Sequence, residues 1–446
     1  MRISLFTVAF SLVLGSGLAA CDLGGGGEQG GAGGSGASTA NGAGNQGASD
    51  PGGGDVGGGG DGGAPAQKGW RALPLIDDES DPDNVIFHAG NDRVMGITYR
   101  SASDGFVLTA GANASVQNGG AIFHANAQGA DKVLFSGDGT GVTLLGSIDF
   151  RGLEPMPNGY VALAYASDVI YSDDDGQTFK IEKDGVGDPF GIEAQLAFRK
   201  RSDGYIMVRD TGVVSYTSDE PGPNAIWDDI WAPTGLPSTP DPVPADQCQV
   251  GPSSGHLPKQ RDPVYIASDG QFIAYTASDD QPMICVSHDG GHSFYPSILE
   301  GVSEDVAFAA PNGVYFTSAT NGITYYANYL YPEASYIYRT TDGGETWSPV
   351  ALPADVANKG IELNGAFFAP DGQTGFIVGY NYDNGIALML RTKDGGATWD
   401  SESGDLAAKV DEAGGGKLYT GFALDANHIW VGGDYGVLMA NDAGGA

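Results

Sequence analysis

Thr340-Thr341-Asp342-Gly343-Gly344-Glu345-Thr346-Trp347 decides the reading of this chain, because the same pattern returns at three other places. They are Ser172-Asp173-Asp174-Asp175-Gly176-Gln177-Thr178-Phe179, Ser287-His288-Asp289-Gly290-Gly291-His292-Ser293-Phe294 and Thr392-Lys393-Asp394-Gly395-Gly396-Ala397-Thr398-Trp399. The shared form is [ST]-x-D-x-G-x-[ST]-[WF]. Each position has a physical task. The carboxylates of Asp174, Asp289, Asp342 and Asp394 can accept backbone N–H groups across a tight turn. Gly176, Gly291, Gly344 and Gly396 can take a backbone angle closed to other residues. The aromatic rings of Phe179, Phe294, Trp347 and Trp399 start the next strand and pack beneath the hairpin.

Three degenerate copies extend the series, around Asn126, Asp219 and Asp442. The key positions 126, 174, 219, 289, 342, 394 and 442 recur every 53 residues or so, about the period of a propeller blade. Residues 70–446 hold seven such units. Short β-rich runs bounded by Gly, Asp and Pro predict four strands per unit. Inner hairpins are expected at 194–198 with 205–209, 305–309 with 314–318, 365–368 with 375–380, and 419–424 with 428–432. The box around Asp442 has no strand after it, whereas Trp70-Arg71-Ala72-Leu73-Pro74-Leu75 reads like the strand that follows a box. The predicted fold is all-β: a seven-bladed propeller of four-stranded antiparallel blades, closed by residues 70–75, which removes an open sheet edge.

The four boxes resemble the Asp-box (BNR) repeat of sialidase-like β-propellers. The repeat pattern over 70–446 is also similar to the seven-bladed family that includes photosystem II assembly factors and many bacterial lipoproteins. That resemblance implies a non-catalytic binding or assembly protein. Sialidases resemble this chain in the boxes alone. Their Arg-Ile-Pro motif is missing, and Arg339 and Arg391, just before boxes, read as structural.

The N-terminal region speaks to location. Met1-Arg2-Ile3-Ser4, an apolar run to Leu14 and small residues before Cys21 form an export signal over 1–20. Leu18-Ala19-Ala20-Cys21 resembles a bacterial lipobox, which implies lipidation of Cys21 after cleavage and stable anchoring by several acyl chains. Residues 21–69, rich in Gly, then read as a disordered tether with an r.m.s. span of about 35–40 Å. A cell-envelope location is expected, at the outer membrane or the periplasmic face of the inner one, because the residue after Cys21 does not choose between membranes reliably.

The chain carries 21 Lys and Arg against 56 Asp and Glu, a formal charge of −35. Such a surface repels phosphate backbones, so no nucleic-acid partner is expected. A monomer is expected, with a protein or carbohydrate ligand. Cys248 lies in a Pro-rich insertion at 236–263 and Cys285 on a predicted third strand. With Cys21 lipidated, an oxidising compartment favours their disulfide, worth about 3–4 kcal/mol in the unfolded state. A free core Cys285 with an exposed Cys248 is the alternative.

Binding in propellers uses the face opposite the boxes, where loops are free to vary. The blade-five segment 317–335 is expected to be such a loop, presenting Tyr325, Tyr326, Tyr329 and Tyr331. The blade-six loop adds Tyr380 and Tyr382. Asp92, Glu193, Glu304, Glu362, Arg261 and Lys417 are expected where inner strands begin on that face. Glu304 with Glu362 is the candidate carboxylate pair for the competing reading, a glycoside hydrolase. No cofactor is expected. The acidic run 77–83 could bind Ca²⁺, although a solvated loop is the favoured reading. His288 and His292 stand in a hairpin turn, a poor frame for a metal.

Overall fold

Among the described residues of the computed structural model, the strands form seven four-stranded antiparallel sheets. It describes residues 69–75, 92–111, 121–136, 144–149, 160–164, 169–172, 180–183, 194–200, 203–208, 212–217, 226–231, 264–267, 271–279, 281–289, 294–302, 311–327 and 335–441. Strand β1 is Trp70–Ala72. Blade one holds β2 (Asp92–Ser101), β3 (Asp104–Gly111), β4 (Ala121–Asn126) and β5 (Gly129–Ser136); blade two holds β6 (Leu144–Asp149), β7 (Tyr160–Ala164), β8 (Val169–Ser172) and β9 (Lys180–Lys183). Blade three runs β10 (Ala194–Lys200), β11 (Asp203–Val208), β12 (Gly212–Thr217), β13 (Ile226–Trp231), and blade four β14 (Val264–Ile266), β15 (Ile273–Asp279), β16 (Gln281–Ser287), β17 (Tyr295–Ile298). Blade five has β18 (Gly313–Phe316), β19 (Gly322–Tyr326), β20 (Tyr336–Thr340) and β21 (Ser348–Val350). Blade six has β22 (Ile361–Phe368), β23 (Gly375–Asn381), β24 (Ile386–Thr392) and β25 (Asp400–Ser401). Helix α1 (Ser403–Glu412) leads into blade seven, β26 (Leu418–Ala423), β27 (Ile429–Gly433) and β28 (Leu438–Asn441). The first strands touch in sequence, β2 to β6, β10, β14, β18, β22, β26 and back to β2, which closes a ring.

The expected seam is present. β1 pairs antiparallel with β28, Trp70 opposite Asn441 and Ala72 opposite Met439. Leu73 N–H continues the ladder to Leu438 O at 2.8 Å, and Pro74 O accepts Ala130 N–H of blade one at 2.9 Å. Residues 70–74 thus join blade seven to blade one.

The core lies between neighbouring sheets. Tyr99 of blade one stacks on Trp430 of blade seven, centroids 3.9 Å apart. Inner strands are also tied by side-chain amides. Asn312 Nδ2 donates to Leu363 O at 2.6 Å, and Asn364 Nδ2 to Leu418 O at 2.9 Å. Both acceptors open a β-bulge, at Leu363/Gly365 and Leu418/Thr420, where the ladder is interrupted.

The boxes at Asp342 and Asp394 behave as their composition requires. Asp342 Oδ1 accepts Thr340 Oγ1–H at 2.7 Å and Thr346 N–H at 3.0 Å, while Thr340 Oγ1 accepts Gly344 N–H at 2.9 Å. Asp394 repeats this with Thr392, Thr398 and Gly396. Gly344 and Gly396 have φ of +87° and +85°, the left-handed region that glycine takes without strain. Trp347 and Trp399 are buried edge-on to Phe316 and Phe368. Asp289 accepts from Ser287 Oγ at 2.8 Å, and Phe294 packs edge-on to Tyr275. In the degenerate blade-one copy, Asn126 Oδ1 caps Gln128 N–H at 2.7 Å. Asp174, Gly176, Phe179 and Gly291 lie outside the described residues, as do the copies at 219 and 442. Arg339 Nε reaches Gly395 O of the next box at 3.0 Å, and Arg391 pairs with Glu402 at 3.2 Å, both structural as expected.

Burial raises the Asp342 and Asp394 carboxyls, but the hydrogen bonds from Thr346, Thr340, Thr398 and Thr392 outweigh it and hold both below their ordinary 3.8. A lowered folded-state value stabilises the fold above about pH 4 and loses that contribution as pH falls through the folded value. Asp342→Asn is therefore expected to lower the urea midpoint at pH 7, with the gap from wild type closing below pH 4. A gap independent of pH would show that the carboxylate charge is irrelevant to the box.

Two elements differ from the expectation. Blade five begins at β18, not at 305–309, which lies outside the described residues; the turn 318–321 then leads into β19. Tyr325 and Tyr326 are therefore strand residues. The second correction is helix α1, which the repeat does not contain. Leu406, Ala407 and Val410 form its buried face, Asp405 occupies its first turn, and it ends before Gly414-Gly415-Gly416. Its buried face packs with Trp70, whose N–H donates to Asp405 Oδ2 at 3.1 Å.

Candidate functional site

The turns of the inner hairpins and the boxes share one face: Gly343 N–H donates to Thr320 O and Gly395 N–H to Gln373 O, each at 2.9 Å. The opposite face carries the starts of the first strands and the loops between second and third strands. Blades six, seven and one build a polar cluster there.

Glu362 stands near the start of β22, Tyr382 just after β23 and Lys417 just before β26. Lys417 Nζ lies 2.9 Å from Glu362 Oε2, which also accepts Tyr382 Oη–H at 2.6 Å; Lys417 Nζ also donates to Tyr382 Oη. Burial raises the Tyr382 phenol, the Glu362 hydrogen bond adds to it, and Lys417 only partly opposes them, so the phenol is pushed up to about 12. Burial alone would lower the Lys417 ammonium, but hydrogen bonds and charge from Glu362 and Tyr382 prevail and raise it. The main chain of Lys417 extends the cluster. Its carbonyl accepts Asp434 N–H at 2.9 Å and its N–H donates to Asp434 Oδ2 at 3.3 Å. Asp434 Oδ1 in turn accepts Tyr419 Oη–H at 2.6 Å and Arg93 Nε–H at 3.2 Å. The Arg93 guanidinium sits 5.3 Å from the Tyr419 ring centroid.

Glycine permits this closeness. A Cβ on Gly379 would stand 1.8 Å from Glu362 O, and one on Gly433 would stand 2.1 Å from Lys417 O. Second strands can therefore lie directly against the bulged starts of the first strands that carry the charges.

The structure unites Glu362, Tyr380 and Tyr382: the two rings meet edge to face at 5.0 Å. Other members of the expected ligand face are not there. Tyr325 is 0% exposed and packs in the core between blades five and six; Tyr326 is 2% exposed and stacks on Tyr336 at 5.3 Å. Neither can touch a ligand, which corrects the tyrosine patch on blade five. Tyr329, Tyr331 and Glu304 lie outside the described residues. Asn312 occupies the place in blade five that Asn364 occupies in blade six. Cys285 is buried on β16, while Cys21, Cys248, the insertion and the acidic run 77–83 lie outside the described residues. Among the described residues no three His, Cys, Asp or Glu side chains converge as a metal site requires.

Arg93, Tyr419, Asp434 and Tyr435 were missed by the sequence reading. Gly432-Gly433-Asp434-Tyr435-Gly436 joins the second and third strands of blade seven as Tyr380–Asn384 does in blade six, and that equivalence was the available signal.

A family model for the BNR/Asp-box repeat matches residues 338–349. No curated protein matches the chain. Among solved structures, YCF48 from Cyanidioschyzon merolae is similar at TM-score 0.54 and 12% identity, covering 84% of this chain and 98% of its own. A structure of YCF48 bound to D1 peptide is similar at TM-score 0.50 and 12% identity, covering 84% and 97%. The Cps50 (Swd1) β-propeller domain of Myceliophteria thermophila gives TM-score 0.50 at 10% identity, covering 78% and 96%. At these identities the likeness is one of fold. The chain has a β-propeller fold and carries an Asp-box repeat at residues 338–349.

Proposed function

We propose that this Asp-box β-propeller is a non-catalytic binding or assembly scaffold, anchored at the cell envelope through lipidated Cys21, which engages its partner with the face opposite the boxes. The observation that carries the reading is the pairing of charge at that face: Glu362 is matched by Lys417 and Asp434 by Arg93. A glycosidase needs two carboxyl groups about 5–9.5 Å apart across a sugar, one of them protonated. Glu362 instead accepts hydrogen bonds from Lys417 Nζ at 2.9 Å and Tyr382 Oη at 2.6 Å. The peptide held by one similar propeller supports a polypeptide partner over a glycan. The same reading includes signal cleavage before Cys21, a disordered tether, a Cys248–Cys285 disulfide and a monomeric propeller. Cys285, fully buried, would pin the 236–263 insertion to blade four.

Crosslinking capture from the envelope fraction, with wild type and the Tyr380→Ala/Tyr382→Ala double variant, tests the scaffold role. Wild type is expected to retain a polypeptide that the double variant loses, with both proteins showing the same thermal transition. Equal capture would remove this face from binding. Glycan hydrolysis abolished by Glu362→Gln would replace the scaffold by an enzyme. Mass spectrometry of the same fraction should show an acylated Cys21 and no thiol labelling before reduction.

A further inference from the structure

Asp434-Tyr435-Gly436-Val437 forms the hairpin turn between β27 and β28. Tyr435 has φ 57° and ψ 32°, and Gly436 has φ 67°. Val437 N–H donates to Asp434 O at 3.2 Å, and Gly433 N–H to Val437 O at 2.9 Å. Two successive left-handed residues closed in this way make a type I′ turn, whose first central position favours Asn, Asp or Gly. A bulky residue there is strained. The Tyr435 side chain does not offset that strain by packing: the residue is 53% exposed. Asn or Gly would make the same turn at lower cost. The ring is held out on the ligand face, beside Asp434 and the Lys417 cluster.

Its surroundings select a ligand chemistry. Gly415 lies against Val437 and Gly416 near Asp434, so the end of α1 abuts both flanks of the turn. The carbonyl end of a helix carries partial negative charge, and in the last turn Lys409 is paired with Glu412 at 2.7 Å while Asp411 is exposed. The whole chain carries a net charge of −35, which attracts cations to any such spot. Arg93 and Lys417 are already engaged by Asp434 and Glu362. An exposed, electron-rich ring face on so acidic a chain suits a guanidinium or ammonium.

We propose that Tyr435, with the C-terminal end of α1, receives a Lys or Arg side chain of the partner polypeptide. The inference rests on the scaffold reading and narrows it to a basic segment. The test uses the full chain and a fluorescent tetra-arginine peptide, followed by anisotropy at two salt concentrations. Tyr435→Gly is expected to weaken binding about three- to tenfold while raising Tm, and Tyr435→Phe to keep both at wild-type values. Tyr295→Ala, which removes an exposed ring from the outer strand of blade four, should leave binding unchanged and so separates a local site from diffuse attraction. Equal affinity of Tyr435→Gly and wild type overturns the proposal, as does equal loss in Tyr295→Ala. A lower Tm for Tyr435→Gly would make Tyr435 a structural residue and overturn it also. A neutral oligosaccharide bound through Tyr435 in place of the peptide would do the same. Envelope capture that survives Tyr435→Gly but fails on loss of Tyr380 and Tyr382 would leave the scaffold standing and this site refuted.

Discussion

Trp70→Ala is expected to lower the unfolding free energy by about 3–5 kcal/mol, the range for emptying a buried tryptophan site. The ring of Trp70 is 7% exposed and packs with Phe376, Leu406, Val410 and Met439, so one side chain joins blade six, α1 and blade seven. Its loss would also loosen β1, held by three paired residues, and uncover the edge of β28. Asp405→Ala removes one hydrogen bond to the same residue and should cost only about 0.5–1.5 kcal/mol. Urea denaturation of the three proteins measures both. A Trp70→Ala effect no larger than that of Asp405→Ala would mean that the ring holds without its seam.

Gly379→Ala is the second large effect, and it reaches the cluster on the face opposite the boxes. Its methyl group would stand 1.8 Å from Glu362 O, so β22 and β23 must part. Overpacking of this kind costs about 1–3 kcal/mol and occasionally more. The movement carries Glu362 away from Tyr382 and Lys417. The phenol raised to about 12 should then titrate closer to its ordinary 10 in ultraviolet absorbance. In wild type a raised tyrosine value keeps its stabilising contribution below about pH 10 and loses it as pH climbs towards 12. Gly404→Ala is the contrast. A Cβ there meets nothing within 4 Å, and alanine in helix α1 should add about 0.5–1 kcal/mol. An unmoved Tyr382 titration in Gly379→Ala would separate the strand contact from the site.

The boxes were legible because their chemistry is local: Asp342, Thr340, Gly344 and Thr346 satisfy one another within a few residues. The seam was legible because Trp70–Leu75 resembles the strands that follow other boxes. β19 was not, because all five of its residues are buried, so the sequence lacks the polar alternation that marks a half-exposed strand. Its tyrosines therefore looked like loop residues. Helix α1 sits outside the repeat, and its signal was the spacing of Leu406, Ala407 and Val410. Glu362 and Lys417 were both recognisable as strand-start residues on the face opposite the boxes. Their pairing was not, since it depends on which blades stand side by side and on glycines that let the strands close in.

Pairing Trp70 with Asn441 joins residues about 370 positions apart, and this has a kinetic consequence. Each hairpin within a blade closes a short loop and can form soon after its residues are available. The seam cannot. β1 is synthesised before every other strand of the ring, yet its partner β28 is made after all of them. At about 5–20 residues per second, β1 waits tens of seconds for a partner. Throughout that interval the strand bearing Trp70 stays unpaired, and the growing array keeps an open edge at each end. Ring closure is therefore the last cooperative step of folding, and a chain cut short before β28 would leave every earlier blade in an unclosed arc.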